Sequence, residues 1–217
     1  MGPSIWTYLG KQWPRIQPLV VQQIGLIVLS MTIAMIIGVG IGVLVWDHPK
    51  LAGAAQSTAS VVLTIPSLAL LVLFIPPFGL GWLPTVIALV LYAQLPILRN
   101  TITGLRGVDP GMLESATGMG MTATRRLIRI QLPLAWPVVL AGLRVSTMMI
   151  FGISAIASYI NGPGLGNLVF TGLSRLGSAN SQNQVLVGGI GIALLALIFD
   201  GGFLVLRRLT VSGGLRV

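Results

Sequence analysis

Residues Asp109–Pro133 read D-P-G-M-L-E-S-A-T-G-M-G-M-T-A-T-R-R-L-I-R-I-Q-L-P, the longest stretch of this chain that a bilayer could not readily hold. Apolar segments lie on both sides of it. Asp109 suits a helix N-cap, and Pro110 suits the first helical position, where the missing N–H costs nothing. Glu114 follows within the predicted helix and is one of only four acidic residues in the chain. The stretch therefore predicts a helix that lies outside the membrane.

An elbow follows this helix at Gly118 and Gly120, because glycine adopts the positive φ that ends a helix and turns the chain. A second short helix is expected over Thr122–Ile130. It should stop before Leu132-Pro133, since the residue before a proline avoids the α region. The pattern thus predicts helix, elbow and helix, followed by the next apolar span.

Composition sets the class of the protein. Of the 217 residues, 54% are hydrophobic and 8% are charged, and the mean hydropathy is +0.94. A soluble domain has about 25% charged residues, so the chain is an integral membrane protein. Continuous apolar runs such as Met31–Val39 favour helices over the alternating pattern of a β-barrel. The fold class is therefore an all-α integral membrane protein.

Five transmembrane helices are predicted from these apolar runs. A lead with Trp6, Tyr8 and Trp13 precedes them and suits an amphipathic segment at the membrane interface. Gly38 and Gly42 form a GxxxG pattern that allows close helix packing. The five spans are about Gln22–Trp46, Ala52–Pro76, Thr85–Leu98, Leu134–Tyr159 and Val185–Leu206.

Three of the spans contain residues that are unusual in a membrane. Pro66 should kink the second span, and a break there survives only where protein or a water-filled cavity satisfies the backbone. The kink is either purely structural or part of a pathway. Arg144 and Asp200 lie about 16 Å and about 10 Å from the same face by helical rise. They can form an intramembrane ion pair, or each can snorkel separately to the interface.

Basic residues predict the orientation of the chain. If Asp109–Pro133 is cytosolic, five spans place the N-terminus outside and the C-terminus inside, with nine basic residues inside against three outside. The net charge of +9 is then explained by the positive-inside rule, and no nucleic-acid partner is expected. Basic residues inside are Lys50, Arg99, Arg106, Arg125, Arg126, Arg129, Arg207, Arg208 and Arg216, and those outside are Lys11, Arg15 and Arg175.

The composition also argues against catalysis by this chain alone. Neither lysine ends a Walker A loop. The single histidine, His48, allows no Ser/His/Asp set and no metal site, and there is no cysteine. We therefore predict that the chain is not an enzyme and binds no cofactor or metal.

The stretch Asp109–Pro133 resembles the cytosolic E-A-A-x-x-x-G-x(9)-I-x-L-P loop of permease subunits of bacterial ABC importers. The matching residues agree at every spacing, with Ser115 in place of the first alanine. They are Glu114, Ser115, Ala116, Gly120, Ile130, Leu132 and Pro133. This resemblance implies a type I importer permease fold, in which the motif docks on a separate pair of ATPase subunits that bind ATP and magnesium. It also implies a second permease subunit, a separate extracytoplasmic substrate-binding protein and a surround of membrane lipid.

More narrowly, the chain is similar to the glycine betaine/choline/carnitine (osmoprotectant) permeases. Four segments carry this similarity: Thr64–Leu71, Tyr92–Thr101, Gly104–Pro110 and Gly162–Gly166. The resemblance implies import of such quaternary amines across a bacterial cell membrane. Tentative pathway residues are Pro66, because a kinked helix can line a pathway, and Tyr92, Phe151 and Tyr159, because aromatic rings bind quaternary ammonium groups.

The resemblance also divides the chain into an N-terminal interfacial segment (1–18), a transmembrane permease domain (19–208, with the coupling region 109–133) and a cytosolic tail (209–217). Two other functions stay open at this point. One is an ABC importer permease for another small solute such as an amino acid. The other is a stand-alone channel or secondary transporter, which the scarcity of intramembrane charge disfavours.

Overall fold

Ten α-helices make up the protein in the computed structural model, which describes residues 4–210; these residues contain no β-strand. A π-helical turn (Leu127–Gln131) joins α7 to α8, and a 3₁₀ turn (Ser158–Ile160) follows α8. The helices are α1 (Ile5–Val45), α2 (Pro49–Thr64), α3 (Ser67–Leu73), α4 (Ile75–Phe78), α5 (Trp82–Arg106), α6 (Pro110–Gly118), α7 (Ala123–Arg126), α8 (Leu132–Ala157), α9 (Gly166–Ser174) and α10 (Ser181–Thr210).

Within residues 4–210, five segments are suited to crossing a membrane if a bent pair of helices is taken as one span. Four are single stretches of helix that are long and apolar enough: α1, α5, Ala123–Ile160 and α10. The fifth is the pair α2 and α3, which passes the same test together but bends by 97° at the break between them. The structure thus gives the helical multi-span architecture that composition predicts.

The core lies where α5 packs between α1 and α8. The close approach of α1 to α5 depends on its GxxxG pattern. A Cβ on Gly38 would lie 2.7 Å from Ile97 Cγ2, and one on Gly42 would lie 2.7 Å from Thr101 Cγ2. The glycines therefore let two backbones approach, as small residues do in membrane helix pairs.

The N-terminal lead is continuous with the first span, because α1 runs unbroken through Pro14 and Pro18. Tyr8 and Ile16 are 3% and 2% exposed, so one face of the lead packs on the bundle. Apolar side chains of this half of α1 line one groove together with Leu165 of the turn before α9 and with the first half of α10. The placement of residues 1–18 at a membrane interface stays a prediction.

The third span is longer than expected: Arg99 and Asn100 do not end it, and α5 continues to Arg106. Asn100 donates through Nδ2 to the Pro96 carbonyl at 2.8 Å, one turn back on the same helix. Arg106 donates through Nε to the Trp46 carbonyl at 2.8 Å and so ties the end of α5 to the end of α1. Polar residues here bond to the helix and its neighbour, so the helix does not stop at them.

The expected stop before Pro133 is wrong. The chain passes from α7 through the π-helical turn Leu127–Gln131 into α8 without leaving the helix. Leu132 N–H bonds to the Leu127 carbonyl, five residues back, and this wider turn relieves the clash of a proline ring with the preceding turn. One helical rod therefore joins the elbow to the fourth span.

Two connecting segments are partly helical. Residues 76–84 include the end of α4 and the start of α5, with positive φ at Gly79 and Gly81. Residues 167–184 contain most of α9 and the first residues of α10. The predicted cytosolic tail (209–217) falls mostly on residues 211–217, outside the described part. We call the two ends of the bundle the α6 end and the α9 end.

Candidate functional site

The elbow at the α6 end is built by local hydrogen bonds. Asp109 caps α6, and its Oδ1 accepts from the Gly111 N–H at 2.6 Å. At the other end of the helix Gly120 has φ +79°, and its N–H bonds to the Thr117 carbonyl at 2.9 Å. The next N–H, of Met121, bonds to the Ala116 carbonyl at 3.1 Å. These two bonds form a Schellman cap, which requires the left-handed residue that glycine supplies.

Of the two glycines expected to turn the chain, only Gly120 takes a positive φ, whereas Gly118 stays in the last turn of α6. Thr122 then caps α7 by accepting from the Arg125 N–H at 3.4 Å. The Arg126 guanidinium donates from Nη1 to Thr117 Oγ1 and so closes α7 against α6. The elbow is thus a single compact unit.

The residues that match the E-A-A loop differ in exposure. Glu114, Ser115, Gly120 and Pro133 are exposed, Ile130 and Leu132 are partly buried, and Ala116 is fully buried. Sequence reasoning missed Met112 and Met119, which are 53% and 73% exposed. Their signal was the presence of apolar side chains in a stretch outside the spans. An exposed carboxylate beside flexible thioethers is suited to binding another protein.

The break at Pro66 is held by a single side chain. Tyr92 of α5 is 3% exposed, and its hydroxyl donates to the Ile65 carbonyl at 2.5 Å. Thr64 and Pro66 on the other side of the break are exposed. In a membrane, irregular backbone is tolerated only against protein or beside a water-filled cavity. The structure therefore brings two of the four tentative pathway residues together and explains how the break is stabilised.

The other two tentative pathway residues lie elsewhere. Phe151 is 1% exposed and packs edge-on against Phe199, with ring centroids 5.2 Å apart, in the main apolar core. Its ring is therefore closed to a solute in this conformation. Tyr159 is 63% exposed at the α9 end and packs against Phe170, with centroids 6.0 Å apart.

Arg144 and Asp200 pair in a bidentate arrangement. Arg144 donates from Nε to Oδ1 of Asp200 at 2.5 Å and from Nη2 to Oδ2 at 2.6 Å. The side chains are 40% and 24% exposed, so the pair lies on the outer surface of α8 and α10. Two opposite charges in one fork give a net-neutral group, which is the form in which charge is tolerated within a membrane span.

A buried glutamine organises the α9 end, and sequence reasoning missed it. Gln23 of α1 is fully buried and donates from Nε2 to Ser154 Oγ of α8 at 2.7 Å. Its Oε1 accepts from the Leu165 N–H at 3.2 Å. Gly164, at φ +113°, comes so close that a Cβ there would lie 2.3 Å from Gln23 Oε1. The glycine-rich turn 162–166 is therefore pinned to two spans by one amide.

No cluster of three metal-ligating side chains occurs among residues 4–210. The geometry of the described residues is that of a membrane bundle with three distinct features: an exposed elbow, a helix broken within a span, and a turn at the opposite end that is bonded to two spans.

The chain matches one described protein family over most of its length. Residues 30–210 match the family described as binding-protein-dependent transport system inner membrane component. The glycine betaine/carnitine/choline transport system permease protein OpuCB of Bacillus subtilis (strain 168) is 39% identical over 189 residues, which are 87% of this chain and 85% of that protein. The osmoprotectant import permease protein OsmW of Salmonella typhimurium is 41% identical over 82% of this chain and 84% of that protein.

Solved structures share the fold. The inward-facing MetNI methionine ABC transporter has a chain with a TM-score of 0.78 and 20% identity, covering 89% of this chain and 94% of that one. An amino acid ABC transporter solved with histidines has a TM-score of 0.75 and 21% identity over 96% of this chain and 99% of that one. The predicted type I importer permease fold is thereby confirmed.

Proposed function

The chain belongs to the family of binding-protein-dependent transport system inner membrane components, and from this premise we propose that it is the permease subunit of an ATP-driven importer for osmoprotectants. The substrates are glycine betaine, choline, carnitine or related quaternary amines, since the relatives of about 40% identity carry such substrates in their names. The chain is a multi-pass membrane component of a transport system.

The elbow formed by α6 and α7 is the observation that carries this proposal. It projects the exposed Glu114, flanked by Met112 and Met119, at the end of a continuous helix that becomes a membrane span. A rigid rod from a docking surface into the bilayer can transmit a rigid-body motion. An ATPase subunit pair binds this surface, holds ATP and magnesium itself, and drives the permease between its inward-facing and outward-facing states.

The remaining partners follow from the same proposal. A second permease subunit completes the pathway, and an extracytoplasmic substrate-binding protein delivers the solute to the α9 end. The α6 end faces the cytosol, with the N-terminus outside and the C-terminus inside. The distribution of nine basic residues against three supports this orientation. The membrane is that of a bacterial cell.

The substrate pathway passes the break between α2 and α3. Thr64 and Pro66 are exposed there, and the irregular backbone calls for water or protein on that side. Because the chain has no cysteine, Thr64→Cys gives a single labelling site. A water-soluble trimethylammonium thiol reagent should label it, and excess choline should slow the labelling. A matched Val72→Cys variant, on the exposed apolar surface of α3, should not be labelled; equal labelling of both cysteines would reject this pathway.

Docking is tested by Glu114→Gln in cells that express the whole transporter. Loss of the carboxylate should lower choline uptake and reduce co-purification of the ATPase while the permease stays in the membrane. Asp47→Asn is the matched control, because Asp47 is a carboxylate at the same end of the bundle, in the turn between α1 and α2. Unchanged uptake in Glu114→Gln, with no ATPase ever co-purifying, would refute the importer function.

The substrate class needs its own measurement. Choline and glycine betaine should compete for uptake of labelled carnitine, whereas methionine and histidine should not. Competition by the amino acids alone would favour an importer for amino acids. Robust ATP-independent flux by the isolated chain in liposomes would favour a channel or secondary transporter.

A further inference from the structure

A second groove, outside the docking elbow and the pathway, lies between the α6-end halves of α8 and α10. Its volume is about 260 Å³. Its walls are mostly apolar, and it opens on the outer surface of the bundle, because Ala141 and Leu204 are both exposed. The wall residues are Pro137, Val138, Leu140, Ala141, Phe203 and Leu204.

The groove has an arginine toward each end. Arg144 lines the deeper end, and its charge is balanced by the bidentate bond to Asp200. Arg207 lines the other end, seven residues after Asp200 and therefore about 10 Å further along α10. Arg208 follows it in the last turn of α10. The groove thus combines apolar walls with an ion-paired arginine at its deep end and a second arginine at its mouth.

Trp136 indicates how deep in the membrane the mouth of the groove lies. Its indole Nε1 donates to Thr210 Oγ1 at 3.0 Å, which places the start of α8 level with the end of α10. Tryptophan is enriched where membrane spans reach the headgroup layer, and arginine side chains extend to the same layer. Arg207 is therefore held at headgroup level, and the apolar walls run from there into the hydrocarbon.

We propose that this groove binds one acidic phospholipid of the leaflet at the α6 end. Arg207 contacts the headgroup phosphate, and one acyl chain lies along Leu140, Ala141 and Leu204. Charge decides against a second copy of this chain as the occupant. The chain has only four acidic residues against thirteen basic ones, and Asp200 is already paired. Basic pockets between membrane helices bind acidic headgroups for the same electrostatic reason.

The test uses the full-length chain in detergent, with dioleoyl phosphatidylglycerol as the probe and phosphatidylcholine as the neutral reference. Native mass spectrometry counts the lipid retained. Wild type should retain phosphatidylglycerol in preference to phosphatidylcholine. Arg207→Gln should bind it about fivefold more weakly, the factor that matches one basic residue near a membrane surface. Arg208→Gln is the matched control because it removes the same charge one residue outside the groove lining.

A second pair of variants tests the apolar walls of the groove separately from the charge of Arg207. Ala141→Phe fills the groove and should abolish preferential retention, whereas Ala193→Phe places the same ring on an exposed position of α10 away from the groove and should not. The proposal is overturned if wild type retains both lipids equally or if Arg207→Gln and Arg208→Gln weaken binding alike. It is also overturned if Ala141→Phe changes the oligomeric mass while lipid retention stays unchanged. None of these measurements depends on uptake or on the ATPase, so they stand apart from the importer proposal.

Discussion

The two ends of the bundle are tied in opposite ways. At the α9 end, Gln23 bonds to Ser154 and Leu165, which lie 131 and 142 residues further along the chain. At the α6 end, the elbow is closed by Arg126 and Thr117, which are nine residues apart. The α9 end is assembled from distant segments, whereas the elbow folds on itself; the rest of the α6 end is joined across the chain by the bonds from Arg106 to Trp46 and from Trp136 to Thr210.

This difference assigns different mechanical roles to the two ends. An end whose bonds join α1, α8 and the turn before α9 cannot move without breaking buried polar contacts, which are costly to leave unpaired. The elbow at the α6 end, whose bonds are local, moves as a unit on the helix that carries it. We therefore expect substitutions at the α9 end to alter stability, and those at the α6 end to alter transport while the fold survives.

The strongest test of the comparison is Gly164→Ala at the α9 end. Its φ of +113° disfavours any side chain, and the new Cβ would lie 2.3 Å from Gln23 Oε1. Strain of about 1–3 kcal/mol from the backbone and about 1–3 kcal/mol from overpacking should together lower the free energy of unfolding by about 2–6 kcal/mol. Thermal unfolding of the purified chain in detergent measures this loss.

Gly177→Ala separates the two contributions. Gly177 has φ +93° but nothing within 4 Å of its ideal Cβ, so only the backbone cost of about 1–3 kcal/mol remains. Equal melting temperatures of Gly164→Ala and Gly177→Ala would mean that Gln23 does not hold the turn in place. The expectation that the α9 end is rigid would then be wrong.

A smaller loss of stability is expected from Arg144→Leu, midway between the two ends. The substitution leaves the Asp200 carboxylate in a span without its partner, and an unpaired charge there is disfavoured. The further change Asp200→Leu should restore folded yield, because it removes the orphaned charge. Folded yield by fluorescence size-exclusion chromatography measures both variants. A double variant no better folded than Arg144→Leu alone would mean that the pair has a role beyond mutual neutralisation.

Local chemistry explains which features could be predicted from sequence. The Asp109 cap, Pro110 at the helix start and the positive φ of Gly120 depend only on neighbouring residues. The Arg144 and Asp200 pairing was accessible because helical rise places both residues at similar depth. The predicted helix stop before Pro133 was wrong, because the rule against a helix before proline does not anticipate a π-helical turn. Gln23 was missed because its partners are set by tertiary packing, although a lone amide within an apolar span was a usable signal.

At the α6 end, Gly120→Ala should affect transport more than folding. Gly120 has φ +79°, and no atom lies within 4 Å of an ideal Cβ built on it. The left-handed conformation then costs about 1–2 kcal/mol, which reduces the population of the bent elbow by about tenfold. Uptake of labelled choline should fall while the melting temperature of the chain changes little.

Gly118→Ala is the matched control for this elbow. Gly118 is the last residue of α6 and also has open space around it, so alanine should stabilise the helix by up to about 1 kcal/mol. Uptake that falls equally in both variants would show that any side chain at the elbow blocks docking, and the role assigned to the φ of Gly120 would be wrong.

The smallest effect is expected from Tyr92→Phe, and its size reveals what faces the break at Pro66. The change removes only the hydroxyl that donates to the Ile65 carbonyl at 2.5 Å. Hydrogen bonds between membrane helices average about 0.6 kcal/mol and reach about 1.7 kcal/mol. If water lines the exposed side of the break, it can replace the lost donor, and the loss in unfolding free energy should lie at the lower figure. If the break is sealed by protein, the carbonyl of Ile65 is left without a donor, and the loss should reach about 1.7 kcal/mol.

The exposed Tyr159→Phe gives the baseline for losing a hydroxyl. Thermal unfolding together with labelling of Thr64→Cys decides between the two, because a water-lined break requires a small loss and fast labelling in the same protein. A large loss with an unreactive Thr64→Cys would remove this region from the pathway and leave Pro66 as a structural kink.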